Sequence, residues 1–149
     1  MQFRVSSAEQ CVRVSDGDKT LWAAAVSTSK YGLGEEPGSW KTPRGRHRIC
    51  EKIGADFAWG TVFKSRQPTG RVWSPGQETE GDLVLTRILW LEGLEPENQS
   101  TRQRYIYFHG TNQEEQIGQP ASLGCIRLRN DDMLRLFEYA AVGMEVWIE

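Results

Sequence analysis

The sequence predicts a mostly β domain: two packed sheets in a β-sandwich-like arrangement, with one helix near the C-terminus. Three observations carry this expectation. Short apolar runs at strand spacing recur along the chain, Gly and Pro punctuate the stretches between them, and helical periodicity is clear in one place only, after residue 129. A length of 149 residues fits one unit of ordinary domain size, so residues 1–149 are read as a single domain.

The elements follow in order. Cys11-Val12-Arg13-Val14 and Leu21 to Val26 flank Ser15-Asp16-Gly17-Asp18-Lys19, where Asp-Gly supplies the positive φ of a tight return, and this reads as a hairpin. Between Ser27 and Gly45 the chain carries Gly32, Gly34, Pro37, Gly38, Pro43 and Gly45, too many breakers for regular structure, and so a long surface loop. Strand patterns return at Arg46–Ile53, Leu83–Leu91 and the aromatic Arg104–Phe108. The stretch from Gly54 to Gly81 suggests loops with short strand pieces. Asn130 is expected to cap a helix whose first turn holds Asp131 and Asp132, whose buried stripe is Met133, Leu134, Phe137 and Ala141, and which Gly143 stops. Met144–Ile148 alternates as a terminal strand.

Composition removes several classes of function. Eighteen Lys and Arg against twenty Asp and Glu leave a formal charge of −2 with both signs scattered, so no basic field draws in nucleic acid. No apolar run approaches the ~20 residues of a membrane span, so no membrane partner is expected. The N-terminus lacks a basic patch followed by an apolar stretch; the expected location is cytoplasmic if Met1 is the native start, and periplasm or wall if a signal was trimmed. Three cysteines, Cys11, Cys50 and Cys125, leave at least one free thiol and argue against a disulfide framework. Neither Cys-x-x-Cys nor His-x-x-x-His spacing occurs, so no metal or other cofactor is expected.

The chemistry concentrates in two short stretches. His109 ends the aromatic strand in Phe108-His109-Gly110-Thr111-Asn112, and sixteen residues later Cys125 sits in Ser122-Leu123-Gly124-Cys125-Ile126-Arg127-Leu128. A thiol nucleophile needs a base and main-chain N–H donors for the developing oxyanion, and Gly124 allows the close backbone approach. Taken singly, each residue is better explained as structural. Together they describe a Cys/His acyl-transfer site at one edge of a sheet. Lys41, Arg44, Arg46 and Arg48 read as a solvated charged rim. Tyr31, Trp40, Trp59 and Trp73 could wall a groove or fill the core, and Ser122 either touches the site or shapes its turn.

The same residues, with Gly118, the acidic helix and the closing Gly143-x-x-Val146-x-Ile148, resemble the L,D-transpeptidase catalytic domain family. The resemblance continues upstream through Val26-Ser27-Thr28 and Thr42-Pro43-Arg44-Gly45, and so spans nearly the whole chain. It implies that Cys125 is the nucleophile, His109 its base and Gly110 the residue whose carbonyl orients the imidazole. The oxyanion donors would be the N–H groups of Leu123, Gly124 and Cys125, with Arg127 a supporting or substrate-facing cation. The implied substrates are peptidoglycan stem peptides or muropeptides, cut before the terminal D-alanine through a thioester. Water as acceptor gives an L,D-carboxypeptidase and an amine gives a 3→3 cross-link. Family members commonly carry His two positions before the cysteine, where this chain has Leu123. Hydrolysis is therefore the expected outcome, and a non-catalytic module that binds peptidoglycan stems or a protein partner is the alternative from another class.

Overall fold

Alternation of apolar and polar side chains organises the chain into ten strands and one helix in a computed structural model that describes residues 1–149. The strands are β1 (Gln2–Ser6), β2 (Cys11–Asp16), β3 (Lys19–Ala25), β4 (Gly45–Ile53), β5 (Thr61–Lys64), β6 (Gln67–Val72), β7 (Val84–Gly93), β8 (Tyr107–Gly110), β9 (Ile126–Leu128) and β10 (Glu145–Ile148); the helix α1 is Asn130–Tyr139. The hydrogen-bonded order is β3-β2-β1-β10-β4-β7, and β7 also pairs with both β5 and β8. Parallel to β8 lies β9.

The sheet turns back on itself to make two facing layers. Just past β3, Ser27 exchanges both main-chain hydrogen bonds with Arg127 of β9, at 2.9 and 3.0 Å. Phe3 of β1 meets Phe108 of β8 edge-on with ring centres 5.9 Å apart, although four strand-to-strand steps separate them along the hydrogen-bonded path. Between the layers lies one apolar core, to which β1 gives Phe3 and Val5, β7 gives Leu89 and Leu91, β9 gives Ile126 and Leu128, and α1 gives Met133, Leu136 and Phe137. Burial of this kind is the dominant favourable term in folding, at ~25 cal/mol per Å² of apolar surface.

Several local expectations are corrected. The aromatic strand begins at Tyr107, because residues 101–105 form turns and Tyr105 takes φ 57°. Asn130 does not cap the helix: it is the first helical residue and its side chain is buried, with Nδ2 donating to the Thr111 carbonyl at 2.9 Å and Oδ1 accepting the Thr86 hydroxyl at 2.6 Å. Its N–H is satisfied from outside by Glu114. The helix ends at Tyr139, before Gly143 and Ala141, because Ala140 turns extended and the Lys52 ammonium takes the carbonyls of Phe137 and Ala140. The N-terminal strand β1 was not anticipated; only its place between β2 and β10 makes it a central strand.

Candidate active site

Parallel pairing of β8 and β9 brings the two chemical stretches together. Phe108, Ile126 and Leu128 point into the core, so alternation sends Tyr107, His109, Cys125 and Arg127 to the opposite face. Cys125 stands beside Tyr107, and His109 lies two residues further along the same strand face, about 7 Å at ordinary strand rise.

The thiol is held by main chain on both sides. It donates to the Tyr105 carbonyl at 3.3 Å and accepts the Tyr107 N–H at 3.4 Å, and it makes no hydrogen bond to the imidazole. Burial pushes the Cys125 thiol up to about 12, against the smaller opposing effects of the Tyr107 N–H and of Arg127 and Arg104.

His109 is 2 % exposed, and its Nδ1 lies 2.6 Å from the Gly110 carbonyl. A carbonyl only accepts, so Nδ1 carries the proton and Nε2 presents a lone pair without a protein partner. Burial lowers the imidazole from its ordinary value, opposed by Asp82 and the Gly110 carbonyl. The base is neutral and free. Gly110, expected to orient it, does so, and no larger residue fits there: a Cβ would lie 2.2 Å from the Asn130 carboxamide oxygen.

The turn before the nucleophile depends on Gly124, whose φ of 128° is a conformation that L side chains rarely adopt. Of the three expected oxyanion donors, Leu123 and Cys125 have N–H groups with no protein acceptor, whereas the Gly124 N–H donates to the Ser122 hydroxyl at 3.2 Å. That hydroxyl in turn donates to the Cys125 carbonyl at 2.6 Å. Ser122, 1 % exposed, therefore shapes the turn and does not face a substrate.

Arg127 is also corrected to the supporting role. It is fully buried; its guanidinium donates to Gln113, Gln116 and the Ser27 hydroxyl and pairs with Asp82 at 3.1 Å. Asp82 accepts the Thr111 hydroxyl as well, so the charge pair ties the segment after His109 to the sheet. Sequence reading missed Asp82 entirely, since nothing around it distinguishes one loop carboxylate from another. It also missed Gln10, whose buried carboxamide brackets Thr28 through its N–H and its hydroxyl.

The upstream motif closes the site. Thr42 accepts the Ser29 N–H at 3.0 Å and donates its hydroxyl proton to the Gly124 carbonyl at 2.9 Å. Ser122 takes the Thr28 carbonyl and gives its own carbonyl to Lys30. Beside this turn, Pro37, Trp40, Arg104, Ile106 and Leu123 line a cleft of about 320 Å³. Trp40 and Tyr31 are more than half exposed, while Trp73 is buried and stacked on Trp59. In the basic rim the three arginines are ion-paired, Arg44 with Glu35, Arg46 with Glu145 and Arg48 with Glu92. The second histidine, His47, is structural: it is fully buried between the Gly45 carbonyl and the Thr101 hydroxyl.

The chain is similar to known proteins in sequence and in fold. Among curated sequences, the putative L,D-transpeptidase YqjB of Bacillus subtilis is 47% identical over 45 residues, 30% of this chain and 26% of that protein. The probable L,D-transpeptidase ErfK/SrfK of Salmonella typhimurium is 51% identical over 45 residues, 30% of this chain and 15% of that one. Among solved structures, an L,D-transpeptidase from Mycobacterium smegmatis superposes with a TM-score of 0.65 at 18% identity, over 99% of this chain and 58% of that one. The LD transpeptidase LdtMt1 in complex with imipenem gives 0.61 at 19%, over 99% and 57%. These structural likenesses show the fold, and the chain spans little more than half of each of the two solved proteins. The family profile for the YkuD L,D-transpeptidase catalytic domain matches residues 2–148, nearly the whole length, and the chain belongs to that family.

Proposed function

We propose that this domain is a cysteine L,D-carboxypeptidase that releases the terminal D-alanine from peptidoglycan stem tetrapeptides. The observation that carries the reading is the shared face of Cys125 and His109, with a free imidazole Nε2 on one side and unpartnered N–H groups of Leu123 and Cys125 on the other. Attack proceeds from neutral partners: the thiol proton passes to Nε2 as sulfur bonds to the carbonyl carbon of the residue before D-alanine. The two N–H groups stabilise the tetrahedral oxyanion. As the C–N bond breaks, the imidazolium returns its proton to the amine of D-alanine, leaving a thioester. Water, deprotonated by the same imidazole, attacks the thioester; the product is a tripeptide and the thiol is restored.

Water is favoured as acceptor by the cleft beside Leu123. An incoming amine needs a base to take its proton, and this wall, with Pro37, Trp40, Ile106, the neutral Gln103 and the cationic Arg104, offers none. Cross-linking is the second reading, favoured by the names that the relatives carry. The deciding experiment supplies disaccharide tetrapeptide at high concentration and reads the products by mass. Tripeptide with D-alanine and little dimer supports hydrolysis. Dominant 3→3 dimer replaces it with transpeptidation, and an unconverted substrate points to a binding module.

A further inference from the structure

The face that carries Cys125 is overhung by the β5–β6 hairpin. Phe63 of β5 packs with Ile88 and Tyr107 against the thiol's own cluster, and the hairpin turns through Ser65 and Arg66, both left-handed at φ 49° and 65°. Arg66 at this tip is held three ways. Its guanidinium carbon lies 4.7 Å from the Tyr105 ring centre and 5.0 Å from that of Trp90, and Nη1 donates to the Tyr107 phenol oxygen at 3.1 Å. Tyr105 and Tyr107 are the two residues whose main chain grips the Cys125 sulfur.

Other guanidinium groups around the site are already engaged. Arg127 is paired with Asp82, Arg104 donates to the carbonyls of Gly34 and Lys41, and Arg48 is paired with Glu92. Arg66 has one neutral acceptor and no carboxylate within ion-pair distance. Glu51 shares its cleft, about 400 Å³ and lined also by Phe57, Gln67 and Trp90, without bonding to it. A guanidinium stacked on aromatic rings is fixed in its plane while its remaining N–H donors stay open, and that edge matches a planar carboxylate.

We propose that Arg66 recognises a carboxylate on the acyl donor and so selects anionic peptides for this thiol. The assignment of that carboxylate to the donor rests on the reading of Cys125 as nucleophile in the proposed reaction. Whether Arg66 draws anions toward the sulfur is measurable without it.

The test compares alkylation of Cys125 by iodoacetate and by iodoacetamide, followed by peptide mass, with Cys11 and Cys50 of the same molecules as references. The acetate-to-acetamide rate ratio at Cys125 is expected to exceed that at the reference thiols. It should fall at least about fivefold in Arg66→Gln, remain largely in Arg66→Lys, and fall in the unaltered protein as salt screens the charge. A ratio that ignores Arg66→Gln overturns the proposal, whatever salt does, and leaves Arg66 as hairpin glue. Should Arg66→Gln fail to fold, Arg66→Met, which keeps an apolar stem over the rings and removes the charge, decides by the same ratio. In a second arm, tetrapeptides with free and amidated donor carboxylates are compared. Arg66→Gln should raise KM at least about fivefold for the free form and less than about twofold for the amidated one; equal changes count against the proposal. An Arg66-dependent ratio with no release of D-alanine retires the peptidase reading and keeps the anion site. Release of D-alanine with an Arg66-independent ratio does the reverse.

Discussion

Thr42 and Gly124 stand 82 positions apart in the chain and share a hydrogen bond of 2.9 Å, from the threonine hydroxyl to the glycine carbonyl. The same hydroxyl oxygen accepts the buried Ser29 N–H, so one side chain fixes the nucleophile's turn to the segment after β3. Thr42→Val keeps the shape and removes both bonds, leaving a buried N–H unpaired at a cost of about 1–3 kcal/mol. The expected outcome is a lower Tm together with roughly tenfold slower acylation of Cys125, since a tenfold rate change needs only about 1.4 kcal/mol. Melting curves and a carbapenem time course by intact mass check it; an unchanged acylation rate would mean that the turn holds itself.

Cys125→Ala and Cys125→Ser should each abolish release of D-alanine and the carbapenem adduct, because neither a methyl group nor an unactivated hydroxyl replaces the thiol. Cys11→Ser and Cys50→Ser should keep both. Intact mass after carbapenem treatment separates the four variants, and an adduct that survives in Cys125→Ala would move the nucleophile elsewhere.

Activity should have its acid limb below pH 6.5. Burial lowers His109 from that ordinary value, so the neutral base persists to lower pH, whereas the raised thiol stays protonated through the neutral range and needs the base. His109→Ala should lose ~10²–10⁴-fold in turnover and transfer the remaining reactivity to an alkaline limb set by the thiol alone. A pH profile with its acid midpoint above 6.5 would contradict a lowered imidazole.

His47 should govern stability in acid and leave the chemistry alone. Burial lowers it from 6.5 to about 4, so the folded state favours the neutral ring. Its contribution is fully present above pH 6.5 and is lost as pH falls from there toward about 4, because the unfolded chain binds the proton first. His47→Gln should be less stable at pH 7, where it has lost ring contacts, and should show a flatter decline of unfolding free energy between pH 6.5 and 4. Denaturant titrations across that interval decide; an unchanged slope would assign the acid sensitivity to other groups.

Local chemistry made much of this protein legible in advance. Alternation fixed the hairpin around Gly17, the strands at Arg46–Ile53 and Leu83–Leu91, the closing strand and the mostly β class, because burying one face of a strand constrains every second residue. The His109-Gly110 and Gly124-Cys125 stretches were readable for the same kind of reason: a thiol, a base and a glycine turn are rare residues whose combination has few uses. The tertiary structure alone decided the rest. Asn130 looks like a helix cap in sequence and became a buried bridge between Thr86 and Thr111, since its partners come from β7 and from the segment after β8. Ser122 and Arg127 sit beside the nucleophile in sequence, yet both turn inward: the Ser122 hydroxyl closes its own turn on the Cys125 carbonyl, and Arg127 answers the amide and carboxylate of Gln113 and Asp82 from other segments. Arg66 and Asp82 carry no local signal at all. Arg66 meets Tyr105 and Tyr107, and Asp82 meets Arg127, only after the β5–β6 hairpin and the loop before β7 are laid against the sheet, and no spacing along the chain encodes a contact that long-range packing creates.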